Sequence, residues 1–182
     1  MKPTSLLFVL LLTVFVGGCF YEAPVSLTPS QEIDRRVLGA WEDGDEHKTK
    51  LQITEADARH YTISLRWAKG GLIDLSQMDL DFRAHHVKVA GLDIVNAQQI
   101  DPKTNTPGKW ALLSYTQPDA DTMIIRFINP GVVPPPPHTP QDNPGSYRLT
   151  TPDAMLKHIE SVAQRPDLFS GGGEMLFTRA KK

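Results

Sequence analysis

Residues 51–67 read Leu-Gln-Ile-Thr-Glu-Ala-Asp-Ala-Arg-His-Tyr-Thr-Ile-Ser-Leu-Arg-Trp, with large apolar side chains at 51, 53, 61, 63, 65 and 67 separated by polar ones. Successive side chains of a strand point to opposite faces, so a period of two marks a strand with one buried face. Glu55-Ala56-Asp57-Ala58 interrupts the alternation, which predicts two antiparallel strands joined by a turn.

The same period continues on both sides of this stretch. Upstream, a short helical turn is expected near Ile33–Arg36, followed by Val37-Leu38-Gly39-Ala40-Trp41 and a turn over Glu42-Asp43-Gly44-Asp45-Glu46. Downstream, Leu80 and Phe82 alternate with Asp79, Asp81 and Arg83, and Val87 and Val89 alternate with His86 and Lys88. Residues 92–95 are more evenly apolar, and two further strands, 110–116 and 123–128, flank the turn Gln117-Pro118-Asp119-Ala120-Asp121. The expected fold is mainly β with a minor α part: an antiparallel meander sheet or a small barrel. It forms a single domain over residues 33–182.

A Pro-rich loop is expected over 129–144, because Pro134, Pro135, Pro136 and Pro137 supply no backbone donors to a sheet and favour the polyproline II conformation. Such a loop is a candidate partner-binding element, since a stiff extended segment loses little entropy on docking. Beyond it, Thr151 is a helix cap, Pro152 suits the first helical position and Asp153 complements the helix N-terminus. Met155, Leu156, Ile159, Val162 and Ala163 form one apolar stripe at helical spacing, and Arg165-Pro166 ends it. Met175 and Phe177 alternate again as a closing strand after Gly171–Gly173.

The N-terminus has a different character. Leu6–Val16 carries no charge, Lys2 precedes it, and Val16-Gly17-Gly18 places small residues before Cys19, the only cysteine. This is the layout of a secretory signal peptide, too short to span a bilayer as a helix. Residues 1–19 resemble the signal and lipobox of bacterial lipoproteins. The resemblance implies removal of residues 1–18 and lipidation of Cys19. It also implies residence in the bacterial envelope, with Phe20 after the cysteine favouring the outer membrane facing the periplasm. Residues 19–32 are then expected to be the lipidated N-terminus and a tether.

Without residues 1–18, eighteen Lys and Arg face 21 Asp and Glu, a formal charge of −3. No basic run suggests nucleic acid as a partner. With Cys19 lipidated no intramolecular disulfide can form, so packing alone must hold the domain.

Leu38-Gly39-Ala40-Trp41 at the start of a β-rich domain resembles the glycine-x-tryptophan opening of lipocalin-like barrels. That resemblance implies a small antiparallel barrel in which Trp41 plugs one end. Trp41, Trp67, Phe82 and Trp110 are the expected lining of an apolar interior. His85 and His86 fall on opposite faces of a strand and are expected at the solvated surface; with His47, His60, His138 and His158 they give no metal-ligand spacing. Asp79 and Asp81 share a strand face, but no motif marks them as catalytic. No enzyme activity, metal or cofactor is expected. The leading expectation is a lipid-anchored binding domain acting on another envelope protein in an interaction or assembly-accessory role. The alternative is a lipocalin-like carrier of a small apolar ligand, and an envelope hydrolase stands third.

Overall fold

The computed structural model describes residues 20–43, 49–66, 79–133, 149–170 and 173–180. Within them alternation becomes strands: β1 (Phe20–Tyr21), β2 (Gly39–Asp43), β3 (Lys50–Asp57), β4 (His60–Arg66), β5 (Leu80–Val89), β6 (Leu92–Ile100), β7 (Pro107–Asp119), β8 (Thr122–Phe127) and β9 (Glu174–Arg179). A 3-10 turn (Arg35–Val37) precedes β2, and the helix α1 (Pro152–Val162) precedes β9. The pairings Leu51 with Leu65 and Ile53 with Ile63 put all four side chains on one face of the β3–β4 hairpin.

Strands β2 to β8 run as a meander of antiparallel neighbours, and β9 pairs with both β8 and β2. With β7 bonded to β8, the sheet closes into an eight-stranded barrel that has no free edge. Strand β7 is long enough to serve two partners on one side. Its later residues pair with β8, while Ala111 and Trp110 pair with Phe20 and Tyr21 of β1.

Residues 33–38 lie across one end of the barrel. Ile33 donates its N–H to the carbonyl of Ala58 in the β3–β4 turn (3.1 Å), and Arg179 donates to the carbonyls of Arg36 (2.8 Å) and Leu38 (3.1 Å). Trp41 is fully buried beside this plug, its indole N–H donating to the carbonyl of Val37 (2.8 Å). The Arg179 guanidinium stacks over the Trp41 ring at 4.2 Å. Gly39 has φ +128°, and a Cβ there would stand 3.0 Å from Arg179 Nη1, so the glycine admits the arginine.

Helix α1 forms as its sequence predicts: the Thr151 side chain accepts from the Ala154 N–H (3.3 Å), Pro152 opens the helix, and Met155 and Ile159 are fully buried. It covers the outer face of the wall made by β5, β6 and β7, where Val87, Val89, Ile94, Trp110 and Leu112 form a second core with Met155, Ile159 and Leu168.

Three expectations are corrected. Residues 20–31 are not a loose tether: Tyr21, Ala23 and Val25 are buried, and buried Asn96 accepts from the Val25 N–H (3.1 Å) while donating to the Ser26 carbonyl (3.1 Å). The Pro-rich loop, expected to be an exposed segment throughout, is anchored near its start: Gly131 is exposed, but Val132 and Val133 are buried in the outer core and the Tyr21 hydroxyl donates to the Val133 carbonyl (2.9 Å). Pro134 to Pro137 lie outside the described residues, as do Cys19, Trp67, His47 and His138. His85 and His86 are buried rather than solvated, although they do face opposite ways along β5.

Candidate functional site: a cavity inside the barrel

The barrel encloses an apolar cavity of about 460 Å³. Its wall is built by register. Tyr61 pairs with Ala84, Ala84 with Ala97, Ala97 with Ala111, and Ala111 with Phe20, so three consecutive strands place alanine in one inward row. An eight-stranded barrel is just wide enough for side chains to fill it or for one small ligand to enter. Two of these methyl groups, Ala97 and Ala111, line the cavity and leave room where larger apolar residues would meet in the middle.

Ala97 and Ala111 face the cavity with Phe20, Phe82, Leu113 and Met123, and the plug contributes Val37. The cavity extends to the opposite end of the barrel, where Leu65, Leu80, Phe127 and Glu174 surround it. Glu174 is the one carboxylate on the wall among the described residues, and its Oε2 accepts from Arg126 Nε at 2.7 Å.

Towards the plug the wall turns polar. Tyr61 and Tyr115 line the cavity, and their hydroxyls belong to one network with Asp34 and His86. The Tyr61 oxygen accepts from the Asp34 N–H (2.5 Å) and lies 2.9 Å from His86 Nε2; the Tyr115 hydroxyl donates to Asp34 Oδ2 (3.1 Å). The guanidinium of Arg36 grips the Asp34 carboxylate through Nε (2.9 Å) and Nη2 (2.8 Å), which holds Asp34 below the usual carboxylate range. Burial raises the pKa of Tyr61 and Tyr115 and lowers those of His85 and His86, so at neutral pH both phenols keep their protons and both imidazoles are neutral.

The expected lining residues separate. Phe82 lines the cavity. Trp41 belongs to the inner core but is sealed beside the plug. Trp110 does not face the interior: it points out from β7 into the core beneath α1, because the neighbouring Ala111 takes the inward position. Asp81 is held by Arg66 (2.6 Å) and Ser64 (2.6 Å), an ion pair on the outer surface of the sheet. His60 pairs with Asp57 at 2.9 Å, and His158 lies 3.0 Å from the carbonyl of Val132. No cluster of three or more His, Cys, Asp or Glu able to hold a metal occurs among the described residues.

Sequence reasoning missed the alanine row and the tyrosine–histidine network. The only signal was small residues at 84, 97 and 111, and it becomes visible once the strands are aligned.

The chain matches no family model, no curated protein and no solved structure. The fold and cavity define the class: a closed antiparallel β-barrel with one helix before the last strand, compatible with a lipocalin-like binding domain.

Proposed function

We propose that this chain is a lipid-anchored envelope protein whose barrel carries one small apolar molecule or the tail of a single-headed amphiphile. The observation that carries the reading is the 460 Å³ cavity with its alanine row, a volume within the roughly 300–1,000 Å³ of small-molecule sites. The Tyr61 and Tyr115 hydroxyls near the plug already have partners, so the ligand end that reaches them gains nothing from being polar. The tail goes in first and any head group stays near Glu174 and Arg126. The leading expectation from sequence, docking through Pro134 to Pro137, gives way to the carrier reading because the cavity supplies a site of its own.

The anchor fits this role. Phe20 is a cavity-facing strand residue, so a lipid on Cys19, the preceding residue in sequence, would leave no tether residues between the anchor and the barrel wall. A single acyl chain binds membranes only marginally, and the modification implied by the lipobox resemblance brings more than one.

Saturable binding of a fluorescent fatty acid to the purified soluble domain, competed by unlabelled long-chain fatty acid and lost in Ala97→Phe, is the expected result. Absence of saturation, or full binding in Ala97→Phe and Ala111→Phe alike, would remove the proposal. For the anchor, intact-mass analysis of the native product should show acylation at Cys19, and Cys19→Ser should abolish detergent-phase partitioning.

A further inference from the structure

A second pocket, of about 360 Å³, opens between the plug and the ends of β6 and β7; it shares Val95 and Tyr115 with the barrel cavity but is otherwise lined mostly by polar and charged residues. Its lining includes the carboxylates of Glu32, Asp34 and Asp93 and a single guanidinium, Arg36. Arg36 is already committed to Asp34 as a bidentate pair and Lys88 Nζ lies 3.8 Å from Asp93, so these five charged groups leave one net negative charge, carried by the exposed Glu32.

Two buried atoms facing this region have no hydrogen-bond partner among the described residues: His86 Nδ1 and Gln117 Oε1. Buried polar atoms are nearly always paired, and an orphan calls for a reason. His86 is only 5 % exposed, and its other ring nitrogen sits against Tyr61 (2.9 Å) and Tyr115 (3.4 Å). Gln117 spends its amide N–H on the Arg36 carbonyl (3.4 Å), which leaves the side-chain oxygen as a pure acceptor.

We infer that this pocket binds a small organic ammonium ion bearing at least two N–H donors. One N–H meets Gln117 Oε1 and another meets His86 Nδ1, while the positive charge is offset by Glu32 and, in part, by Asp93, which it shares with Lys88. The proton balance closes. The neutral imidazole keeps its proton on Nε2, where the Tyr61 oxygen accepts it; Tyr61 gives its own proton to the Tyr115 oxygen and Tyr115 gives its proton to Asp34; and Nδ1 then presents a lone pair. An anion would meet three carboxylates, and a quaternary cation would leave both acceptors unmet. This site shares Tyr115 with the barrel wall but does not depend on whether the barrel holds a ligand.

The test uses the full folded domain with ¹⁵N-labelled histidine in amine-free buffer near pH 7.5. Propylammonium chloride is the probe, with tetramethylammonium chloride and sodium propionate as controls. Saturable movement of the His86 Nδ1 resonance with propylammonium alone is expected. Gln117→Leu should weaken that binding at least tenfold with an unchanged melting temperature, and the exposed Glu32→Gln should weaken it severalfold. Three results would overturn the inference: no saturable shift, which leaves an ordered water as the partner of both atoms; an equal response to tetramethylammonium; or unaltered affinity in both variants.

Discussion

The two faces of the wall formed by β5, β6 and β7 are both apolar, yet one is solid and the other hollow. Outward stand Val87, Ile94, Trp110 and Leu112, packed under α1 and the residues around Val25. Inward, one or three positions away on the same strands, stand Ala84, Ala97 and Ala111. Interiors normally pack to crystal density, and a void costs the lining atoms their dispersion contacts. The chain therefore concentrates its bulk on the face that needs stability and leaves methyl groups on the face that needs room. A hollow that arose from generally loose packing would show small residues on both faces.

The largest expected effect lies on the solid face. Trp110→Ala should cost about 3–5 kcal/mol, the range for truncating a buried aromatic side chain, read as a drop in urea midpoint at unchanged slope. Ligand affinity of the folded variant should stay within about twofold, because Trp110 does not face the cavity. A loss below about 1 kcal/mol would break the comparison by showing that the outer core is not where stability resides.

The complementary change on the hollow face is Ala97→Phe. It should reduce fatty-acid affinity at least a hundredfold, about 2.7 kcal/mol, while moving stability by less than about 1 kcal/mol because the ring enters existing space. Overpacking a full core costs about 1–3 kcal/mol, so a penalty at the top of that range would mean the space is smaller than the wall geometry indicates.

A third test uses one buried histidine on each face. Burial lowers the folded-state pKa of both His85 and His86 below 6.5. With a depressed histidine pKa, folded and unfolded chains bind equal protons above pH 6.5, so stability is then fully present. Below it the unfolded state takes up protons that the native state resists, and stability falls as pH falls towards the folded-state pKa. The slope approaches about 1.4 kcal/mol per pH unit for each histidine. Denaturation at pH 7.5 and 5.5 should show this loss, and His86→Gln should remove about half of it. An unchanged pH dependence in that variant would place the effect elsewhere.

The limits of sequence legibility follow the same division. Where one face meets water, as in Leu51 to Leu65, alternation gives strand, register and inward side together. Where both faces are covered the phase vanishes: Trp110-Ala111-Leu112-Leu113 is a continuous apolar run, and nothing local says that Trp110 points out and Ala111 in. Strand β5 shows the crossover within one element. Its apolar side is inward at Phe82 and outward at Val87, so a single strand looked like two stretches of opposite phase. The cavity is less legible still, because its room depends on Ala97 and Ala111, more than a dozen residues apart, which meet only through pairing. Residues 20–31 carried no period at all, since their fixing depends on the distant side chain of Asn96.

The smallest effect gives the sharpest form of the comparison, because it perturbs the outer face without touching a packed side chain. Thr151 caps α1 through one hydrogen bond, to the Ala154 N–H. Thr151→Ala should cost about 1 kcal/mol, the usual value of a lost N-cap, with Thr151→Ser restoring it. The helix contributes Met155 and Ile159 to the outer core and nothing to the cavity wall. Hydrogen exchange should therefore quicken in residues 152–162 while fatty-acid affinity remains that of the parent. If affinity instead falls with helix protection, the two faces of the wall form one cooperative unit, and the size of the hollow depends on how firmly the helix is seated.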